Sequence, residues 1–189
     1  MKAQLISITF LLTVLNFSAF AQSKKEVKKF KIKSTTVVVT EAADSKDKSR
    51  TDSYQKFDNS GNVTEEVEYN KDGTFKKKEA HKYNKNNDVT EEIIYDEKGN
   101  IKKKTTTEYN VNKDKTVENE YNATGKLLAK TQYGYSPKGD KTYELITDDK
   151  GKMLKKSIYA YDKNGLKTEK KTMDENGVVI STKKYTYEY

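Results

Sequence analysis

The chain has 189 residues, 37 basic against 29 acidic for a formal charge of +8, and no cysteine. Without thiols it forms no disulfide, thiol nucleophile, cysteine-ligated metal site or lipid-modified cysteine. Only 33% of its residues are hydrophobic, a composition typical of disorder, but their placement is too regular for a disordered chain.

At the amino terminus Lys2 precedes an apolar run from Leu5 to Phe17, and Ala19-Phe20-Ala21 supplies the small-x-small pattern of signal-peptidase sites. Residues 1–21 therefore read as a signal peptide cleaved before Gln22, and the product as exported, periplasmic or extracellular. The apolar run is shorter than the ~20 residues of a bilayer span, which weighs against an uncleaved anchor. Residues 22–50 then read as a lead segment, with a strand over Phe30 to Thr40 and a charged loop from Glu41 to Arg50.

From Thr51 onward the sequence repeats every 26 residues without gaps. One set of turn positions falls at Gly61, Asn87, Lys113, Gly139 and Gly165, and a second at Gly73, Gly99, Gly125, Gly151 and Gly177. Turns alternately 12 and 14 residues apart, with Thr, Tyr, Val and Ile at alternate positions between them, predict an all-β chain. The fold expected for residues 51–189 is an antiparallel meander of tandem two-strand repeats, about eleven strands in one curved or coiled sheet.

Superposing the repeats gives each position a role. The column Phe57, Tyr83, Tyr109, Tyr135, Tyr161 and Tyr187 is always aromatic, the column Thr64, Thr90, Thr116, Thr142 and Thr168 always threonine, and Phe75, Ile101, Leu127, Met153 and Val179 always apolar. Asx-x-x-Gly segments such as Asp96-Glu97-Lys98-Gly99 have the chemistry of a type I turn closed by a left-handed glycine. That turn sets Tyr69 opposite Phe75, Tyr95 opposite Ile101 and Tyr121 opposite Leu127. Continuing the same register pairs Glu66 with Lys78, Glu92 with Lys104, Glu118 with Lys130 and Glu144 with Lys156, an ion-pair ladder on the face opposite the aromatic stripe.

Tyr159-Ala160-Tyr161-Asp162-Lys163-Asn164-Gly165 and Tyr133-Gly134-Tyr135-Ser136-Pro137-Lys138-Gly139 resemble the tyrosine–aspartate repeats of the RHS/YD class, with weaker copies at Phe57-Asp58, Tyr83-Asn84 and Tyr109-Asn110. The resemblance covers the chain from Phe57 onward and implies repeated β-hairpins; in that family such sheets spiral into a shell around a cargo. Five repeats are too few to enclose anything, so encapsulation is not carried over.

The chemistry is sparse. His81, the only histidine, shares its column with Thr107, Tyr133, Tyr159 and Tyr185, and reads as an ordinary strand residue. No serine–histidine–acid set can be assembled around it, and the carboxylates fall in repeated columns. The acidic turns supply too few oxygens for calcium, so neither metal nor cofactor is expected. Arg50 is the only arginine and the lysines alternate with glutamates, which argues against nucleic acid.

What remains is an exported, non-catalytic β-repeat scaffold or binding protein of the cell envelope, recognising a glycan or protein. Its expected binding residues are Tyr159, Tyr161, Tyr185 and Tyr187, where the aromatic rows reach the end of the array. Open sheet edges allow edge-to-edge homo-oligomers. A small outer-membrane barrel and an envelope-polymer hydrolase are the alternatives. The barrel is disfavoured because Lys115, Lys141 and Lys167 interrupt any apolar band.

Overall fold

A computed structural model describes residues 23–41 and 48–188. The signal-peptide segment and the middle of the expected charged loop lie outside these residues. The described chain is a 12-stranded antiparallel meander in strict sequence order. β1 (Ser34–Glu41) and β2 (Lys48–Phe57) are followed by β3 (Val63–Tyr69), β4 (Phe75–Tyr83), β5 (Val89–Tyr95), β6 (Ile101–Tyr109), β7 (Lys115–Asn122), β8 (Leu127–Tyr135), β9 (Lys141–Thr147), β10 (Met153–Tyr161), β11 (Lys167–Met173) and β12 (Val179–Lys184). The end strands do not pair with each other, so the sheet is open rather than a barrel.

Each hairpin turn follows from local chemistry. In the β5–β6 turn Asp96 Oδ1 accepts hydrogen bonds from the Lys98 and Asn100 amides, while Gly99 sits at φ +80° and donates its amide to the Asp96 carbonyl. Asn87 and Lys113 take the same left-handed conformation in their own turns, as their columns predict.

Beyond the turn the structure departs from the expected register. Tyr95 does face Ile101, but the next pair is Ile94 with Lys103, so Lys102 is an extra residue on β6. The same shift of one residue follows every turn in the array, and after β2, β4, β6, β8 and β10 the extra residue is the invariant threonine, Thr64, Thr90, Thr116, Thr142 or Thr168. These are β-bulges, which bend the bulged strand and increase its twist. They also correct the expected ladder: Glu66 faces Glu79, Glu92 faces Thr105, Glu118 faces Thr131 and Glu144 faces Ser157. Because the side-chain period of a strand is two, one extra residue moves the glutamates onto the opposite face from their expected lysine partners.

Among the strand residues burial falls mainly on one face, with Thr147 the exception. Ser53, Gln55, Glu79, Thr107, Thr131, Ile146, Ser157, Tyr159 and Thr172 are buried and, by register, all lie on one face. Each strand packs against its neighbours in sequence, and among the described residues no second sheet covers this face. The inner face is polar: among the described residues the buried hydrophobic side chains are Val27, Ile146 and Tyr159. Each two-strand unit from β3–β4 onward is closed at its open end by a tyrosine of the aromatic column. The hydroxyls of Tyr83, Tyr109, Tyr135, Tyr161 and Tyr187 donate to the carbonyls of Val63, Val89, Lys115, Lys141 and Lys167, each 20 residues earlier, at 2.7–2.9 Å.

The lead segment also differs from its expected form. Phe30 ends a helix, α1 (Lys24–Phe30), instead of opening a strand. Ser23 and Glu26 form a capping box at its start, in which each side chain bonds the other residue's backbone amide. Val27 is buried, and the helix backbone lies so close to Gly61 that a Cβ there would sit 2.7 Å from the Lys24 carbonyl oxygen. α1 thus covers the first turn of the array.

Candidate functional site

Three zones follow one another along the inner face. Toward the amino-terminal side, β4 carries Glu79 and His81 and β5 carries Glu92 directly opposite His81. His81 Nε2 lies 3.6 Å from Glu92 Oε2 and 3.9 Å from Glu79 Oε2. Lys77, two residues before Glu79, reaches its carboxylate at 2.8 Å. The imidazole beside Glu92 holds its carboxyl below the ordinary value against the opposing effect of burial. Glu79 and His81 are exceptions to the repeat, since their columns elsewhere hold Thr105, Thr131 and Ser157, and Thr107, Tyr133 and Tyr159. The sequence reading treated the carboxylates as repeated and missed that Glu79 is not.

Midway along the face a pocket of about 170 Å³ opens between Glu118, Glu120, Ala129, Thr131, Ile146, Leu154 and Lys155. Its lining joins carboxylates and a hydroxyl to short apolar patches.

The third zone is a ladder of alternating tyrosines and lysines. Lys141 Nζ lies 5.2 Å from the Tyr133 ring centroid and 5.0 Å from that of Tyr159, and Lys167 Nζ lies 5.1 Å from Tyr159 and 5.6 Å from Tyr185. Lys170 adds a third ammonium 5.3 Å from the Tyr159 ring. These are cation–π distances. Glu144 accepts from both Lys141 and the Tyr159 hydroxyl. Burial, reinforced by Glu144, pushes the Tyr159 hydroxyl pKa well above its ordinary value, and burial with Glu118 and Glu144 does the same for Tyr133. Burial also lowers Lys170, which stands near Lys155, Lys141 and Lys183.

The four tyrosines expected to bind a ligand divide between two structural settings. Tyr159 is buried in the ladder and Tyr185 is 36% exposed at its end. Tyr161 and Tyr187 belong to the column whose hydroxyls close each two-strand unit at its open end. Tyr133, Lys141, Lys167 and Lys170 complete the ladder and were missed, although the column joining Tyr133, Tyr159 and Tyr185 was visible in the sequence. Their lysine partners come from neighbouring strands, and Lys141 and Lys167 are among the lysines the sequence already set among the tyrosines.

No protein-family model and no curated protein matches this chain. Among solved structures it is similar to a protein of unknown function from Bacteroides fragilis, at 17% identity and a TM-score of 0.42 over 58% of this chain and 93% of that one. It is similar to a porin-like protein from Bacteroides uniformis at 14% identity and a TM-score of 0.38, over 82% of this chain and 55% of the other. A chain of the TcdB2-TccC3-Cdc42 complex matches at 13% identity and a TM-score of 0.32, over 82% of this chain and 11% of that chain. At these scores the likenesses carry no function across. The chain is a β-rich repeat protein, and no helix among its described residues is long and apolar enough to cross a membrane.

Proposed function

We propose that this chain is an exported, non-catalytic β-repeat binding protein of the cell envelope, built of RHS/YD-like hairpins, whose inner face takes an anionic glycan. One observation carries the reading: the buried face is lined by hydroxyls, amides and carboxylates where a face made only for packing would be apolar. Sugar rings offer many hydroxyls to such a surface and can stack on the exposed side of Tyr185. Lys141, Lys167 and Lys170 gather positive charge where an acidic group on the glycan would lie. Export rests on Lys2, the Leu5 to Phe17 run and Ala19-Phe20-Ala21.

The test is co-sedimentation of the exported protein with purified cell-wall sacculi and with soluble acidic polysaccharides, together with the double variant Lys167→Glu/Lys170→Glu. The wild-type protein pellets with an acidic polymer, and the variant, with unchanged circular dichroism, loses most of that binding. Binding to no glycan, or equal binding by the variant, rejects the reading.

A further inference from the structure

The inner face departs from its own repeat at two positions on one strand, Glu79 and His81, and the register brings a third donor, Glu92, to the same point. We infer that Glu79, His81 and Glu92 form a site for a borderline divalent cation of the zinc class, independently of the glycan reading.

The three residues offer two carboxylate oxygens and one imidazole nitrogen, all within 4.8 Å of one another. Two atoms each about 2.0–2.2 Å from a tetrahedral zinc stand about 3.3–3.6 Å apart. The observed 3.6 and 3.9 Å from Nε2 to the two carboxylates lie within a few tenths of an ångström of that. They are also too long for direct hydrogen bonds. The other imidazole nitrogen, Nδ1, is buried without a hydrogen-bond partner, so no protein group fixes its tautomer. Glu79 is itself deeply buried, its side chain 6% exposed.

The surroundings favour positive charge. Glu66 lies directly across from Glu79, so two carboxylates face each other on the same side of the sheet. Lys77 supplies a cation to Glu79 at 2.8 Å, but its side chain is 38% exposed and its long stem can swing to solvent. A bound metal therefore competes with Lys77 for Glu79. An imidazole with two carboxylates selects zinc-class ions over calcium or magnesium, which take oxygen ligands, and leaves a fourth position for water.

His81 is the only histidine in the chain, so its imidazole resonances report this site without ambiguity. The experiment is a Zn²⁺ titration of the chain without an affinity tag, followed by imidazole NMR and calorimetry. One equivalent of Zn²⁺ shifts and saturates the His81 resonances, Glu79→Gln and Glu92→Gln each weaken binding by at least about tenfold, and Lys77→Ala tightens it. Resonances unmoved at one equivalent, or an affinity indifferent to both glutamine variants, overturn the site and assign any uptake to scattered surface carboxylates.

Discussion

Lys113 holds φ +68° in a turn where most repeats place glycine. The left-handed region costs a β-carbon residue roughly 1–2 kcal/mol, and glycine returns part of that through the greater freedom of the unfolded chain. Lys113→Gly is therefore expected to raise stability by about 0.5–1 kcal/mol, read as a higher urea midpoint. Tyr83 titrates in the opposite sense to a paired carboxylate. Burial, with Asp58, Glu66 and Glu92 nearby, pushes its hydroxyl up to about 12. A pKa raised in the folded state contributes stability that is complete below the unfolded value near 10 and is lost as pH rises through the folded value. Tyr133 and Tyr159 shift the same way. Urea melts between pH 9 and 12 are expected to show stability falling above about pH 10, with a shallower slope in Tyr83→Phe.

At the open end of the β5–β6 hairpin, the hydroxyl of Tyr109 spans from β6 to the Val89 carbonyl at the start of β5. Tyr109→Phe keeps the ring and removes the bond, at an expected cost of about 0.5–1.5 kcal/mol in a denaturant melt. The sequence displayed the turns and the first pair beyond them because both depend on residues within a few positions, an Asx oxygen, a left-handed glycine and the aromatic before them. It also displayed the unbroken threonine column. What it did not display is that Thr90 or Thr116 is the unpaired residue of a bulge, since a threonine in a strand looks the same paired or unpaired. That single residue sets Glu92 opposite His81, a pairing the unbulged register does not give, while the meander itself was legible. α1 was missed although Ser23 and Glu26 already spelled its cap; seven residues are too few for a helical period to show.

At the scale of the whole molecule, the sheet behaves as a one-dimensional array in which each strand is held by its two neighbours. Deleting one full period, residues 97–122, joins equivalent turn positions and preserves the alternation of turns and bulges. The shortened chain is expected to keep its β circular dichroism and unfold cooperatively, with an m-value reduced roughly in proportion to the surface lost. Deleting residues 97–108 instead joins the two kinds of turn out of phase, and that chain is expected to lose the inner face. Equal behaviour of the two deletions would show that the repeat is not the unit of folding.

The unclosed meander has a mechanical consequence. Tension applied at the two ends of the chain loads the outermost strands first, and their ladder bonds break in succession because neighbouring strands run back and forth perpendicular to the line of pull. Deeper strand pairs carry the same tension spread over their whole ladders, and so yield after the edges. The molecule would lengthen like an unzipping seam at low and nearly constant force, each repeat releasing about 90 Å of contour at ~3.3–3.6 Å per residue. Such an array gives way hairpin by hairpin rather than all at once.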